Sequence, residues 1–222
     1  MVAIIAGIIG GIGIISLKRV NESYRIAYTD SVAALKYVER MSSSFQRIRM
    51  NLNGLLMVDN IEDKEFYIGK LDEHKATIDE NIAEYRKMLG TYKAEEVEIE
   101  LKLIDSLQTN LAIYDEKKNE LVKGIAMDSS RRSEAIELLK DGGELRALAL
   151  TVDNSITELI TYNSDYAANQ IVTNLELAKR SEGFMIVGIV LGVLLAILVG
   201  LFISRGISKP INYLVKVSDA LA

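Results

Sequence analysis

A chain of 222 residues with 26 Lys+Arg against 31 Asp+Glu carries a net charge of −5 and shows no basic stripe, which excludes nucleic acid as a partner. It has no cysteine, so disulfide frameworks, zinc ribbons and covalently attached haem are excluded. Its single proline, Pro210, lies beyond the long polar middle, which is therefore expected to be all helix.

The first element is apolar. Val2 to Leu17 carries no charge and is about 24 Å long as a helix. It lacks a basic n-region, and no small-x-small cleavage site precedes Lys18-Arg19. The helical pattern then continues without a break, so the segment is read as an uncleaved first membrane span. Ala3, Gly7 and Gly11 are spaced four apart on it, a small-residue face of the kind that lets helices approach closely in lipid.

Residues 18–182 hold every basic residue except Arg205, Lys209 and Lys216 and every acidic one except Asp219. The middle is thus near −7 and the tail near +2. A three-four alternation runs from Val20 through Ser31, Val38, Phe45 and Ile48 to Leu55, the seam of a long bundle helix ended by Asp59-Asn60. A second helix is expected from about Glu62 to Gly90 and a third from about Ala94 to Met127. Asp128-Ser129-Ser130 and Asp141-Gly142-Gly143 bracket a short helical piece, Arg132 to Lys140. A fourth long helix starts near Glu144, carries Leu145, Val152, Ile156, Leu159, Tyr162 and Tyr166, and continues into a second apolar segment. Four long helices with short connections predict an all-α, antiparallel up-down four-helix bundle.

That second segment, Phe184 to Ile203, is uncharged over its whole length. At about 1.5 Å rise per residue it matches the roughly 30 Å hydrocarbon core. Gly188, Gly192, Ala196 and Gly200 repeat the four-residue spacing. Basic residues flank the spans on both sides, so the positive-inside rule does not orient the chain.

No nucleophile elbow, phosphate loop or metal-binding histidine pair occurs, and no catalytic constellation, cofactor or metal site is expected. His74, the only histidine, is read as a solvated helix residue off the apolar seam. Glu95 to Glu100 is read as an acidic first helical turn rather than a calcium site. Arg47 and Arg49 flank the seam residue Ile48, with Asn51 and Asn53 close by. Such a pair of guanidinium groups suits an anionic small molecule, or else ion pairs within the bundle. Tyr162 and Tyr166 belong mostly to the core, with hydroxyls placed to reach a pocket near the bundle top. Arg131-Arg132 is read as a solvated pair.

The order of elements resembles a bacterial methyl-accepting chemotaxis protein with a four-helix-bundle sensor. The residues that carry this are Phe45-Gln46-Arg47-Ile48-Arg49-Met50-Asn51-Leu52 on the first helix and Ser204-Arg205-Gly206-Ile207-Ser208-Lys209-Pro210-Ile211-Asn212-Tyr213-Leu214 after the second span. The tail resembles the first helix of a HAMP signal-relay domain, with Arg205, Pro210, Ile211 and Leu214 matching its pattern. The resemblance implies four parts: a first span over 1–17, an extracytoplasmic ligand-binding bundle over 18–182, a second span over 183–204 and the start of HAMP over 205–222. It implies a multi-pass protein of the inner (cytoplasmic) membrane, a homodimer in contact with lipid, and cytoplasmic signalling partners reached through an output module after Ala222. Gly183, Arg205, Pro210 and Leu214 would then relay the signal. Histidine kinases and membrane-bound cyclases share this front end, and their output is the alternative. In the aspartate and serine receptors of this family, arginines on the first helix hold the ligand. Arg49 matches one of them, whereas Gly54 and Val58 stand where the other two would be, which argues against an amino-acid ligand bound in that way.

Overall fold

The computed structural model describes the backbone of residues 2–221 and the side chains of residues 7, 10–22, 24, 31–95, 97–125, 128 and 130–206. The side chains of Ala3, Pro210 and Leu214, to which roles were assigned above, lie outside the described residues. The helices are α1 (Val2–Leu56), α2 (Ile61–Leu89), α3 (Glu98–Met127), α4 (Arg132–Leu139) and α5 (Glu144–Leu221), and no strand occurs among the described residues. Two compact units are present: Tyr28–Ala168, and residues 1–27 together with 169–222.

In the unit Tyr28–Ala168 the seam of α1 becomes the core. Ala34, Val38, Met41, Phe45, Ile48, Leu52 and Leu55 are all buried against partners from the other long helices. Phe45 meets Tyr114 of α3 edge-on, ring centroids 5.0 Å apart. The helix ends follow local chemistry. Asn60, in extended conformation, accepts a 2.8 Å hydrogen bond from the Asp63 amide and so caps α2, with Glu62 and Asp63 in the first turn. The third helix starts at Glu98 rather than Ala94, because Ala94–Glu96 forms a separate 3-10 turn. Between α4 and α5, Gly142 adopts φ +84°, a left-handed conformation that side chains other than glycine resist.

Polar contacts fix the register between helices. Lys64 donates to the Ile125 carbonyl at 3.3 Å, Lys75 lies 3.5 Å from Asp115, and Arg86 pairs with Asp105. Numbers thus rise along α2 as they fall along α3. Likewise Asn110 of α3 donates to Ser155 of α5 at 2.8 Å, and Asn163 of α5 donates to Tyr85 of α2 at 2.9 Å.

In the other unit, α1 and α5 meet where a Cβ on Gly13 would touch the Met185 sulfur at 3.4 Å. Gly7 and Gly11 have open space around them. Among the described residues one helix is long and apolar enough to cross a membrane, and none of its apolar window is buried. This is the Phe184–Ile203 stretch of α5, where Phe184, Leu191, Leu198 and Phe202 are all exposed. The backbone of α5 stays helical to Leu221 although Pro210 has no amide to donate.

Candidate functional site

Arg47 and Arg49 leave α1 on opposite sides of the buried Ile48 and do not come together. Arg49 turns toward α5, where its Nη1 lies 2.7 Å from the Asp153 carboxylate and 3.1 Å from the Gln46 side-chain oxygen. Gln46 donates to the same carboxylate at 3.0 Å. Of the two readings of this pair, Arg49 follows the ion pair within the bundle. Arg47 turns toward α2 and lines an open polar groove of about 270 Å³ with Arg40, Glu73, His74 and Asn81. Asn51 is taken up by a hydrogen bond to the Arg47 carbonyl at 2.8 Å, and Asn53 is exposed. Arg132 is not a solvated residue either: it bonds the Val58 carbonyl at 3.2 Å and pairs with Asp59.

His74 corrects the expectation made of it. It is only 8 % exposed, because it stands three residues after Leu71 and four before Ile78, on the seam itself. Burial lowers its pKa below the ordinary 6.5, opposed by the adjacent Glu73 carboxylate and aided by the charges of Arg47 and Lys70.

The tyrosines lie at the other end of the unit, near Ser31, where the chain comes in. Ser31 and Arg49 are about 27 Å apart along α1. Here α1, α2, α3 and α5 surround a cavity of about 130 Å³ lined by Ser31, Ala34, Met88, Leu89, Tyr92, Val97, Glu100, Asn163 and Tyr166. Tyr166, 41 % exposed, is the lining residue most open to solvent. Tyr162 is half-buried, and burial together with the nearby Glu100 charge raises its pKa. Tyr166 lines this cavity and Tyr162 does not, and the cavity lies at the opposite end of the unit from the α1–α2 connection.

A directed hydrogen-bond chain stands behind this cavity. Asn163 donates to the Leu159 carbonyl at 2.8 Å and to the Tyr85 oxygen at 2.9 Å, and Tyr85 donates to Glu100 Oε1 at 2.8 Å. Burial raises the Glu100 pKa above its ordinary value, and the Tyr85 hydrogen bond offsets this only in part. Burial likewise holds the Tyr85 proton far above the usual phenol range. The Ser31 hydroxyl, 4 % exposed, has no partner among the described residues. A mostly apolar concavity with a few convergent polar groups and a perturbed carboxyl is the usual form of a small-molecule site. Among the described residues no cluster of His, Asp and Glu can hold a metal ion.

Glu100, Tyr85, Asn163 and Ser31 were not singled out as ligand contacts from the sequence. The signal lay in the spacing. Glu100 follows the seam residue Val97 by three, and Asn163 follows Leu159 by four, so each is a polar residue on a buried stripe.

The family described as "Four helix bundle sensory module for signal transduction" matches residues 1–174. No curated protein and no solved structure matches the chain. The match covers most of the sequence, and the chain belongs to that family.

Proposed function

We propose that this four-helix-bundle sensory module is the sensor region of a transmembrane chemoreceptor of the methyl-accepting type. The observation that carries the reading is the family match over residues 1–174 followed, in the same helix, by the uncharged stretch Phe184–Ile203. A sensory module joined by one helix to a bilayer-length segment carries a signal across a membrane rather than a solute or a reaction.

In this reading Val2–Leu17 is the first span and Phe184–Ile203 the second. The bundle between them has antiparallel up-down connectivity and faces the outside, and residues from Arg205 onward begin a HAMP relay in the cytoplasm. The region binds a small molecule and catalyses nothing. Its output passes through HAMP to cytoplasmic signalling proteins. Two copies associate along α1. In support, a Cβ added at Gly7 or Gly11 would meet nothing within 4 Å among the described residues, and Val32 on α1 and Ile160 on α5 border an exposed apolar groove. A ligand shifts the receptor between two states only by binding them unequally.

The test is a fusion of residues 1–222 to the cytoplasmic output module of a characterised chemoreceptor, expressed in a bacterium that lacks its own receptors. Alkaline phosphatase inserted between Tyr92 and Lys93 should be active, because the enzyme folds only outside the cytoplasm, and inactive when fused after Ser208. The chimera should change the swimming bias when components of spent medium are added. Activity of the phosphatase at Ser208, or a chimera that is made, inserted and unresponsive to every fraction, overturns the reading.

A further inference from the structure

We propose that the cavity between Ser31, Glu100 and Asn163 binds a small organic cation, a primary ammonium group on a short apolar body. This rests on the sensor reading and names the class of ligand that this cavity takes.

The argument follows the donors. Asn163 uses both of its N–H groups, one on the Leu159 carbonyl and one on the Tyr85 oxygen. Tyr85 uses its single O–H on Glu100 Oε1. Every donor in the chain is therefore directed into the protein. What remains to face a ligand is the Glu100 carboxylate, the Asn163 carbonyl oxygen, which accepts no bond from the chain, and the Ser31 hydroxyl, buried without a partner among the described residues. Two of these groups only accept, and the Ser31 hydroxyl accepts as readily as it donates, so the lining favours a ligand that brings donors.

Charge points the same way. Among the described residues Glu100 is the one charged side chain lining the cavity, and it makes no ion pair. Arg86 and Lys102, which neighbour Tyr85 and Glu100 in the sequence, are engaged elsewhere: Arg86 pairs with Asp105 and Lys102 with Glu98 at 2.5 Å. A carboxylate drawn into a partly enclosed, apolar site without a counter-ion is costly in the empty state. A bound cation supplies the missing partner, and its hydrogen bonds to the carboxylate are of the stronger, charge-assisted kind. An anion would meet the like charge of Glu100 and no cationic side chain among the described lining residues, with only neutral hydroxyls as donors.

Size and lining complete the match. A cavity of about 130 Å³ is close to the roughly 150 Å³ that accommodates one benzene. Met88, Leu89 and Val97 would cover the apolar body, and Tyr92 and Tyr166 offer ring faces that attract a cation.

The experiment uses the full chain in lipid nanodiscs and isothermal titration calorimetry. The probes are methylammonium, n-butylammonium and benzylammonium, with butyrate and 1-butanol as the anionic and neutral counterparts of the second. At least one ammonium ion should bind, and butyrate and 1-butanol at least about tenfold more weakly. Glu100→Gln keeps an oxygen for the Tyr85 hydroxyl and should melt no lower than the wild type, yet lose about tenfold or more in affinity. Ala34→Leu, which fills the cavity without touching a polar group, should also lose binding. The proposal is overturned if none of the three ammonium ions binds, if butyrate or 1-butanol binds as well, or if Glu100→Gln binds undiminished. The receptor reading has its own readout in the chimera. Ammonium binding with a chimera silent to every fraction sinks the reading and leaves the site. A responsive chimera without ammonium binding sinks the site alone.

Discussion

At the scale of single residues, three side chains were placed by their neighbours rather than by their own character. Arg49 is neutralised by Asp153, so of the two readings of its pair with Arg47 it follows the ion pair within the bundle. Glu100 stands in an acidic first turn but lines the cavity while its acidic neighbours Glu95 and Glu98 are exposed. His74 is buried, and its native pKa is depressed below the unfolded value of 6.5. The native state therefore binds fewer protons than the unfolded chain between the depressed value and 6.5. Stability falls as pH drops through that interval and is unaffected by this group above it. Glu100, with its raised pKa, works in the opposite sense, losing stability as pH rises, so a single profile mixes the two. His74→Gln isolates the first. Its melting temperature, relative to the wild type, should rise as pH is lowered below 6.5 and be level above it. A difference between the two proteins that does not vary with pH would mean that His74 is not desolvated.

At the scale of elements, the connections constrain the fold more tightly than the helices do. A Cβ on Gly143 would run into the backbone carbonyls of Glu137 and Leu138, which cannot swing aside as a side chain can. Gly143→Ala should therefore destabilise the protein by about 1 to 3 kcal/mol, as overpacking does. Gly183 is the opposite case. It lies inside α5 with nothing within 4 Å of an added Cβ, so Gly183→Ala should stabilise the helix by up to about 1 kcal/mol. Thermal unfolding followed by circular dichroism compares the two, and shifts of the same sign would contradict the packing at Gly143. Gly54 has a local reason of its own. A Cβ there would press into the Tyr67 ring, so close packing between α1 and α2 asks for a small residue at this position.

At the scale of the whole molecule, α5 is one helix from Glu144 to Leu221, running from the unit Tyr28–Ala168 into the other. A continuous helix transmits a slide or rotation of about 1–2 Å, the usual amplitude of such shifts. Inserting three glycines after Glu182 should break that coupling because glycine does not hold a helix. The chimera would then bind its ligand with unchanged affinity and give no ligand-dependent output. Swimming bias and calorimetry measured on the same variant separate the two effects, and a signal that survives the insertion would show that α5 is not the conduit.

The sequence by itself determined the all-helical class, the long helices and nearly all of their buried stripes, because apolar periodicity is a local property and one face of each helix must leave water. It also marked the uncharged stretch Phe184–Ile203, since length and hydropathy need no partner. Its errors fell where polar residues sit on or beside those stripes. A spacing of three and four says that Glu100, His74 or Asn163 points inward, yet residue type argued the reverse for His74, made Glu100 part of an acidic first turn and left Asn163 unremarked. Which partner Arg49 meets, and that Tyr85, Glu100 and Asn163 converge on one cavity, depends on the rotation and register of four helices against each other. Those are set by contacts between residues as far apart as Arg49 and Asp153 or Tyr85 and Asn163, and only the tertiary structure brings them within reach.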